Sequence, residues 1–316
     1  MRVWLSRGIA ALIGLILVAD LGAACLGVGV LCLSYAPTRA AARYILGRHG
    51  CCGLRESLSA PQYLERRKAA VDHVQNSVHK IAEDGEFTLW DTPQGRFWVQ
   101  TRDGFGFVPL LAEQELRVYG PIQKGDIVLD CGANIGDFTR SALSDGAASV
   151  VAIEISPGNL ECLRRNFRDE MSRGHVVVVS DGVWDQDAKM KLYTSRVLGS
   201  GIDSVVSHDD RSNEGPDVSL TTIDKIVERL RLPRVNLIKL DVEGAEFRGL
   251  VGARETIRKY RPRIAFDSED FSMDDVRKIQ GQLDSVVPGY QLKVGPCIEL
   301  RNSIRADIMR FEYQSR

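Results

Sequence analysis

The chain has 316 residues, 44% hydrophobic and 26% charged, which is room for one domain of ordinary size plus an appendage. A formal net charge of −1 predicts no general affinity for nucleic acid. Five scattered histidines and seven cysteines (positions 25, 32, 51, 52, 131, 162 and 297) show no metal-ligand or C-x-x-C spacing, so no metal is expected; a reducing compartment is the simplest reading of the thiols, with disulfides left open.

Residues 9–34 are almost continuously apolar, and at about 1.5 Å per helical residue they are long enough to cross a bilayer. Asp20 interrupts them at a cost on the order of 2.5–3.5 kcal/mol, which the surrounding Leu, Ile and Val offset. The expectation is an N-terminal transmembrane helix, with residues 1–35 as a single-pass membrane anchor; a cleaved signal peptide is the alternative. Arg2 and Arg7 precede the stretch, whereas Arg39, Arg43, Arg48 and Arg55 follow it, which favours a cytoplasmic catalytic domain. Cys51 and Cys52 are either plain thiols or acceptors of palmitate.

Residues 36–85 read as a juxtamembrane basic segment and amphipathic helix. Leu64, Val71, Val74, Val78 and Ile81 recur at steps of three, four and seven, which predicts a helix over 61–83 begun near Pro61. Its Arg66, Arg67 and Lys68 form a solvated face or a contact for anionic lipid. His73 and His79 on the same helix read as structural. Residues 86–316 form the main domain, with a β-rich lead-in. Its short runs 87–90 and 96–99 flank T-P-Q-G, the signature of a hairpin.

The organising stretch is D-I-V-L-D-C-G-A-N-I-G at 126–136. Ile127, Val128 and Leu129 form an apolar run without helical period, as expected of a buried parallel strand. Gly132 and Gly136 remove the Cβ atoms that would keep a ligand away from the turn, and Asn134 tolerates unusual backbone angles. A helix over 137–143 follows. Asp130 at the tip would repel a phosphate, and the spacing G-x-N-x-G departs from the dinucleotide fingerprint G-x-G-x-x-G. S-adenosylmethionine, with a sulfonium, an ammonium, a ribose and no phosphate, fits better; a glycine turn without ligand is the plain alternative.

Further strands are expected at 149–155, 175–180, 235–241 and 263–268, alternating with helices as in an α/β sheet, with 291–294 and 306–313 as a closing antiparallel pair. Residues 195–219, rich in Gly, Ser and Asp, read as a functional loop. Glu154, 24 residues past Asp130, stands where an acid accepts both ribose hydroxyls, or alternatively caps a helix. Asp181 is placed to bind an adenine amino group, with Gly182 and Val183 as the adjacent wall; a turn is the competing reading. Trp184 either packs or closes over the base. In N-L-I-K-L-D-V-E-G-A-E at 236–246, three carboxylates within six residues exceed what capping needs. Asp241 is assigned to the donor end of the site and Glu243 to the acceptor; either takes the proton of a hydroxyl acceptor, with help from His208.

These residues resemble the FkbM family of S-adenosylmethionine-dependent methyltransferases, through D-C-G-A-N-I-G at 130–136, V-V-A-I-E-I-S-P at 150–157, T-T-I-D at 221–224 and I-K-L-D-V-E-G-A-E at 238–246. The resemblance implies a class I methyltransferase (Rossmann-like) α/β domain with a seven-stranded sheet. It also implies O-methylation of a hydroxyl or carboxyl acceptor such as a small molecule, lipid or glycan. Asp267, with Ser268 and Glu269, stands where the family often has glutamate, which bears on the acceptor and not on the cofactor. The alternative function is a membrane-tethered, non-catalytic S-adenosylmethionine-binding module. A nicotinamide oxidoreductase is disfavoured by the missing fingerprint.

Overall fold

A computed structural model describes residues 35–195, 203–206, 212–268, 271–300 and 302–314. In chain order, the first elements are α1 (Ala36–Ile45), α2 (Leu54–Ser77), β1 (His79–Asp84), β2 (Phe87–Thr92), β3 (Gly95–Gln100) and α3 (Phe107–Leu116). Next come β4 (Ile127–Cys131), α4 (Asp137–Ser144), β5 (Ser149–Ile153), α5 (Pro157–Asn166), α6 (Arg168–Ser172), β6 (Val176–Val179), β7 (Gly182–Val183), β8 (Ala188–Ser195) and β9 (Ser212–Thr221). The last are α7 (Ile223–Arg229), β10 (Leu237–Leu240), α8 (Glu246–Val251), α9 (Arg254–Tyr260), β11 (Arg263–Asp267), α10 (Met273–Val286), β12 (Tyr290–Val294), β13 (Cys297–Glu299), β14 (Ile304–Ala306) and β15 (Ile308–Tyr313). The chain divides into two compact units, Met1–Arg66 with Pro296–Asp307, and Arg67–Gly295 with Ile308–Arg316.

Among its described residues, the first unit is held by cross-links. Cys52 and Cys297 form a disulfide. Arg39 and Arg43 converge on the buried carboxylate of Glu299, and the Tyr63 hydroxyl donates to Asp307 Oδ2 at 2.5 Å. The disulfide overturns the reading of the cysteines as reduced thiols, and it removes Cys52, 1% exposed, as an acceptor of palmitate. Its partners lie 245 positions apart, so no local spacing announced it.

The described structure does not support the membrane anchor. Residues 9–34, on which it rested, lie outside the described residues, and among those described no helix is long and apolar enough to cross a membrane. The longest, α2, has 24 residues but carries Arg55, Glu56, Glu65, Arg66, Arg67, Lys68 and Asp72. The single-pass topology, and the cytoplasmic placement that followed from it, are likewise not supported.

The second unit is built on a seven-stranded sheet in the order β12-β15-β11-β10-β4-β5-β6. The strands from β11 to β6 in that order are parallel, while β15 runs antiparallel to both β11 and β12. Parallel strands covered on both faces need apolar side chains throughout, and β4, β5 and β10 are buried along almost their whole length. One face packs Leu129, Val151, Ile238, Ile264 and Phe266 against Ile223, Leu250 and Ile279. The other packs Ala152 and Val176 against Leu163 and Phe167. The chain moves outward from β4 to β6 and then crosses to β10 on the other side of β4, so a crevice forms at the tips where the direction reverses.

Two elements differ from expectation. The helix predicted to reach 83 ends at Ser77, and His79–Asp84 is a strand with every residue exposed. Ile81 matched the helical period by position but is 45% exposed, so it belongs to no core stripe. The segment expected to be loop over 195–219 contains strand from Ser212, which pairs with β8 and β7 in a small separate sheet.

Candidate active site

The parallel register decides what meets at the crevice. In the β4–β10 ladder Asp130 lies opposite Lys239 and Cys131 opposite Leu240. Side chains alternate along a strand, so Asp130, Lys239 and Asp241 share one face of the sheet. The Lys239 ammonium sits 3.2 Å from Asp130 Oδ1, 3.2 Å from Asp241 Oδ2 and 3.0 Å from the Gly132 carbonyl oxygen. The Thr139 hydroxyl donates to Asp130 Oδ2 at 2.6 Å, and the Tyr119 hydroxyl donates to Asp241 Oδ2 at 3.0 Å. Burial pushes the Asp130 carboxyl up, with Lys239 opposing. For Lys239 burial works downward, but Asp241, Asp130 and Asp137 outweigh it and hold the ammonium charged.

The turn after β4 needs its glycine. Gly132 has φ +81, and a Cβ there would lie 1.7 Å from the Asp241 carbonyl oxygen, so the tips of β4 and β10 approach as backbone on backbone. The next positions fold around Glu154. Its Oε2 accepts from the Asn134 amide at 2.8 Å, and its Oε1 from the amides of Ile155 and Ser156 at 2.8 and 2.7 Å. Burial raises its pKa, and these three amides oppose the rise. Gly136 serves packing, because a Cβ there would lie 2.1 Å from the Phe167 ring.

A cavity of about 280 Å³ opens over these tips. Gly132, Asn134, Glu154, Gly182, Val183, Asp241 and Glu243 line it. Asp130, Gly136 and Asp181 do not: Asp130 is fully buried beneath the tip, and Asp181 pairs with Arg229 at 2.9 Å. Trp184 lies off the cavity, packed with Leu192 and Leu220. Glu243 has φ +51, its carbonyl accepts the Ser204 hydroxyl at 2.7 Å, and the turn is closed by Glu246, whose Oε1 accepts the amides of Val242 and Gly244 at 3.1 Å each. His208 and Glu269 lie outside the described residues.

The cavity wall also holds residues that the sequence reading does not assign, among them Tyr119, Asp137, Asp203 and Lys239. Lys239 carried a signal in the sequence, since a lysine in the buried strand L-I-K-L requires an acid beside it. Asp137 is buried, accepts from the Gln114 amide at 2.9 Å, and is pushed up to about 7 by burial, against the pull of Lys239. Tyr119 is held well above the ordinary phenol value by burial and by the carboxylates of Asp241, Asp267, Glu113 and Asp137.

The family profile of the methyltransferase FkbM domain matches residues 130–287. The hexuronic acid methyltransferase AglP of Haloferax volcanii is 28% identical over 138 residues, 43% of this chain and 53% of its own length. The tRNA (guanine(37)-N(1))-methyltransferase Trm5b of Methanocaldococcus jannaschii is 26% identical over 127 residues, 39% of this chain and 37% of its own length. The chain thus spans about half or less of these relatives. A solved FkbM methyltransferase from Methylobacillus flagellatus KT aligns over 80% of this chain and 59% of its own, with 17% identity and a TM-score of 0.43.

Proposed function

The chain belongs to the FkbM family of S-adenosylmethionine-dependent methyltransferases, and from that premise we propose that the cavity at the tips of β4, β5 and β10 takes the methyl donor and that a hydroxyl oxygen is methylated beside it. The observation that supports this reading is the joint lining of one cavity by Gly132, Glu154, Gly182 and Asp241, contributed by separate strand tips. Gly132 lines the cavity without a side chain, and the carboxylates suit a cationic, hydroxyl-bearing nucleoside. Glu154 would hold the ribose hydroxyls, Asn134 the turn beside them, Gly182 and Val183 the base, and Asp241 the ammonium end. Asp181 reaches the adenine only by giving up Arg229. When bound, S-adenosylmethionine supplies a methyl group on a sulfonium, open to in-line attack.

The work of the protein is then alignment, exclusion of water and removal of one proton. Lys239 and Tyr119 both engage Asp241, which suits it to holding the donor. Glu243, on the same wall, is the base on the acceptor side. A hydroxyl is favoured over a carboxylate by charge: Asp241, Glu243 and Asp267 line the cavity, and Lys239, the lysine among the described lining residues, is committed to Asp130 and Asp241. An acidic acceptor would meet like charge, whereas a hydroxyl needs a carboxylate to take its proton. The similarity to a hexuronic acid methyltransferase directs the search for the acceptor to sugars.

Two measurements test this. Calorimetric titration of the full chain with S-adenosylmethionine and with NAD should give binding to the first alone, and preference for NAD would refute the donor site. Incubation with a methyl-labelled donor and paired neutral glycosides and glucuronides should label the neutral member. Labelling confined to the glucuronide carboxylate would reject the hydroxyl reading.

A further inference from the structure

We propose that Lys239 is the positioning residue of this site: its buried ammonium ties the immobile Asp130 to the cavity-facing Asp241 and so sets the direction of Asp241 before any ligand arrives. The assignment deepens the functional reading above and rests on it where the donor is concerned.

All four side chains of β10 are buried, and Lys239 is the charged one, 3% exposed. Its nitrogen meets two carboxylates and a carbonyl, with the ring centroids of Tyr119 and Phe138 at 5.2 and 5.7 Å enclosing it further. Two of the three oxygen partners cannot move. Asp130 is fully buried and its second oxygen is taken by Thr139, while the Gly132 carbonyl belongs to a turn with no room for a methyl group. Asp241 is the third, with 29% of its side chain exposed at the cavity wall. The lysine therefore joins a rigid anchor to the one partner that faces a ligand. Lys239 and Tyr119 both take Oδ2 of Asp241, which leaves Oδ1 as the oxygen offered to the cavity. If Lys239 served only to neutralise Asp130, a core without either charge would function as well as the native one.

That difference is testable. The single variant Lys239→Met leaves Asp130 buried beside no cation and is expected to fold poorly. The double variant Asp130→Asn/Lys239→Met removes both charges and keeps the fold measurable. In the full chain, it should melt close to wild type but bind S-adenosylhomocysteine about 30-fold or more weakly by calorimetry, the scale of losing one partner of a buried charge pair. The donor KM should rise by a similar factor, with kcat falling less. A crystal structure of the ligand-free double variant should show the Asp241 carboxylate displaced from Tyr119. Affinity within about threefold of wild type, or an Asp241 carboxylate superposable on that of wild type, overturns the assignment. Should wild type itself fail to bind S-adenosylhomocysteine, the donor reading falls, and the crystallographic position of Asp241 alone decides the role of Lys239.

Discussion

The tips of β4 and β10 carry the same pattern, a short apolar strand, an aspartate and then a glycine turn, yet the two acids have opposite fates. Asp130 is the last residue but one of its strand, lies opposite Lys239 in the ladder and has no exposed surface. Asp241 stands one residue beyond its strand, where its amide still bonds to Cys131 but its side chain reaches the cavity. Two positions of register thus separate an anchor from a ligand-facing group. An acid at a strand end is functional or structural according to whether the ladder continues past it.

The most severe way to break this arrangement is to force the two tips apart. Gly132→Ala places a methyl group 1.7 Å from the Asp241 carbonyl oxygen, at a φ of +81. The loss should exceed about 3 kcal/mol in urea unfolding, since backbone must move against backbone. A cost below about 1 kcal/mol would mean that the tips do not approach as closely as described.

The tip of β4 does send one carboxylate to the cavity, and pH should expose it. Asp137, the first residue of α4, is pushed up to about 7 from an ordinary value of 3.8. Because the folded protein holds the proton more tightly than the unfolded chain, the stabilisation is complete below pH 3.8 and is lost as pH rises toward 7. The full span is at most about 4 kcal/mol by linkage. Asp137→Asn should remove this slope, so that its stability overtakes that of wild type between pH 5 and 8. Parallel pH profiles for the two proteins in denaturant titrations would show that Asp137 ionises normally.

The two aspartates themselves should separate stability from function. Asp130→Asn leaves Lys239 with one carboxylate fewer in a buried site and should cost about 2 kcal/mol in thermal or urea unfolding. Asp241→Asn should cost less than about 1 kcal/mol while lowering kcat/KM about 100-fold. The reverse pattern would exchange the roles of anchor and ligand-facing group.

Much of this was legible in the sequence, and what was not has a common cause. Strand β4, its glycine turn and the start of α4 could be read because an apolar run, glycines and a polar helix start are local signals. The register between β4 and β10 joins segments far apart in the chain, so the pairing of Lys239 with Asp130 cannot be counted from spacing, and in the sequence alone Asp130 reads as a ligand-facing acid. Gly136 illustrates a second limit: close approach to a ligand and close approach to Phe167 both demand the absence of a Cβ. In β1 the helical period continued to Ile81 by coincidence, and in β9 the polar composition hid a strand that is paired on both edges. The Cys52–Cys297 bridge is the same problem in covalent form.

The smallest effect concerns the turn after β10, where a third carboxylate braces rather than binds. Glu246 is 6% exposed, and one of its oxygens accepts the amides of Val242 and Gly244, which holds Glu243 in the left-handed region at φ +51. Glu246→Gln keeps an acceptor oxygen in place but gives up the charge that strengthens both bonds, a loss of about 1 kcal/mol. In a chain of this size that is a fall of roughly 2–4 °C in Tm. Donor affinity and kcat should change by less than about threefold, a difference under 1 kcal/mol. A larger loss of turnover without a matching fall in Tm would move Glu246 from the brace to the reacting groups, and the tip of β10 would then carry a third functional carboxylate beside Asp241 and Glu243.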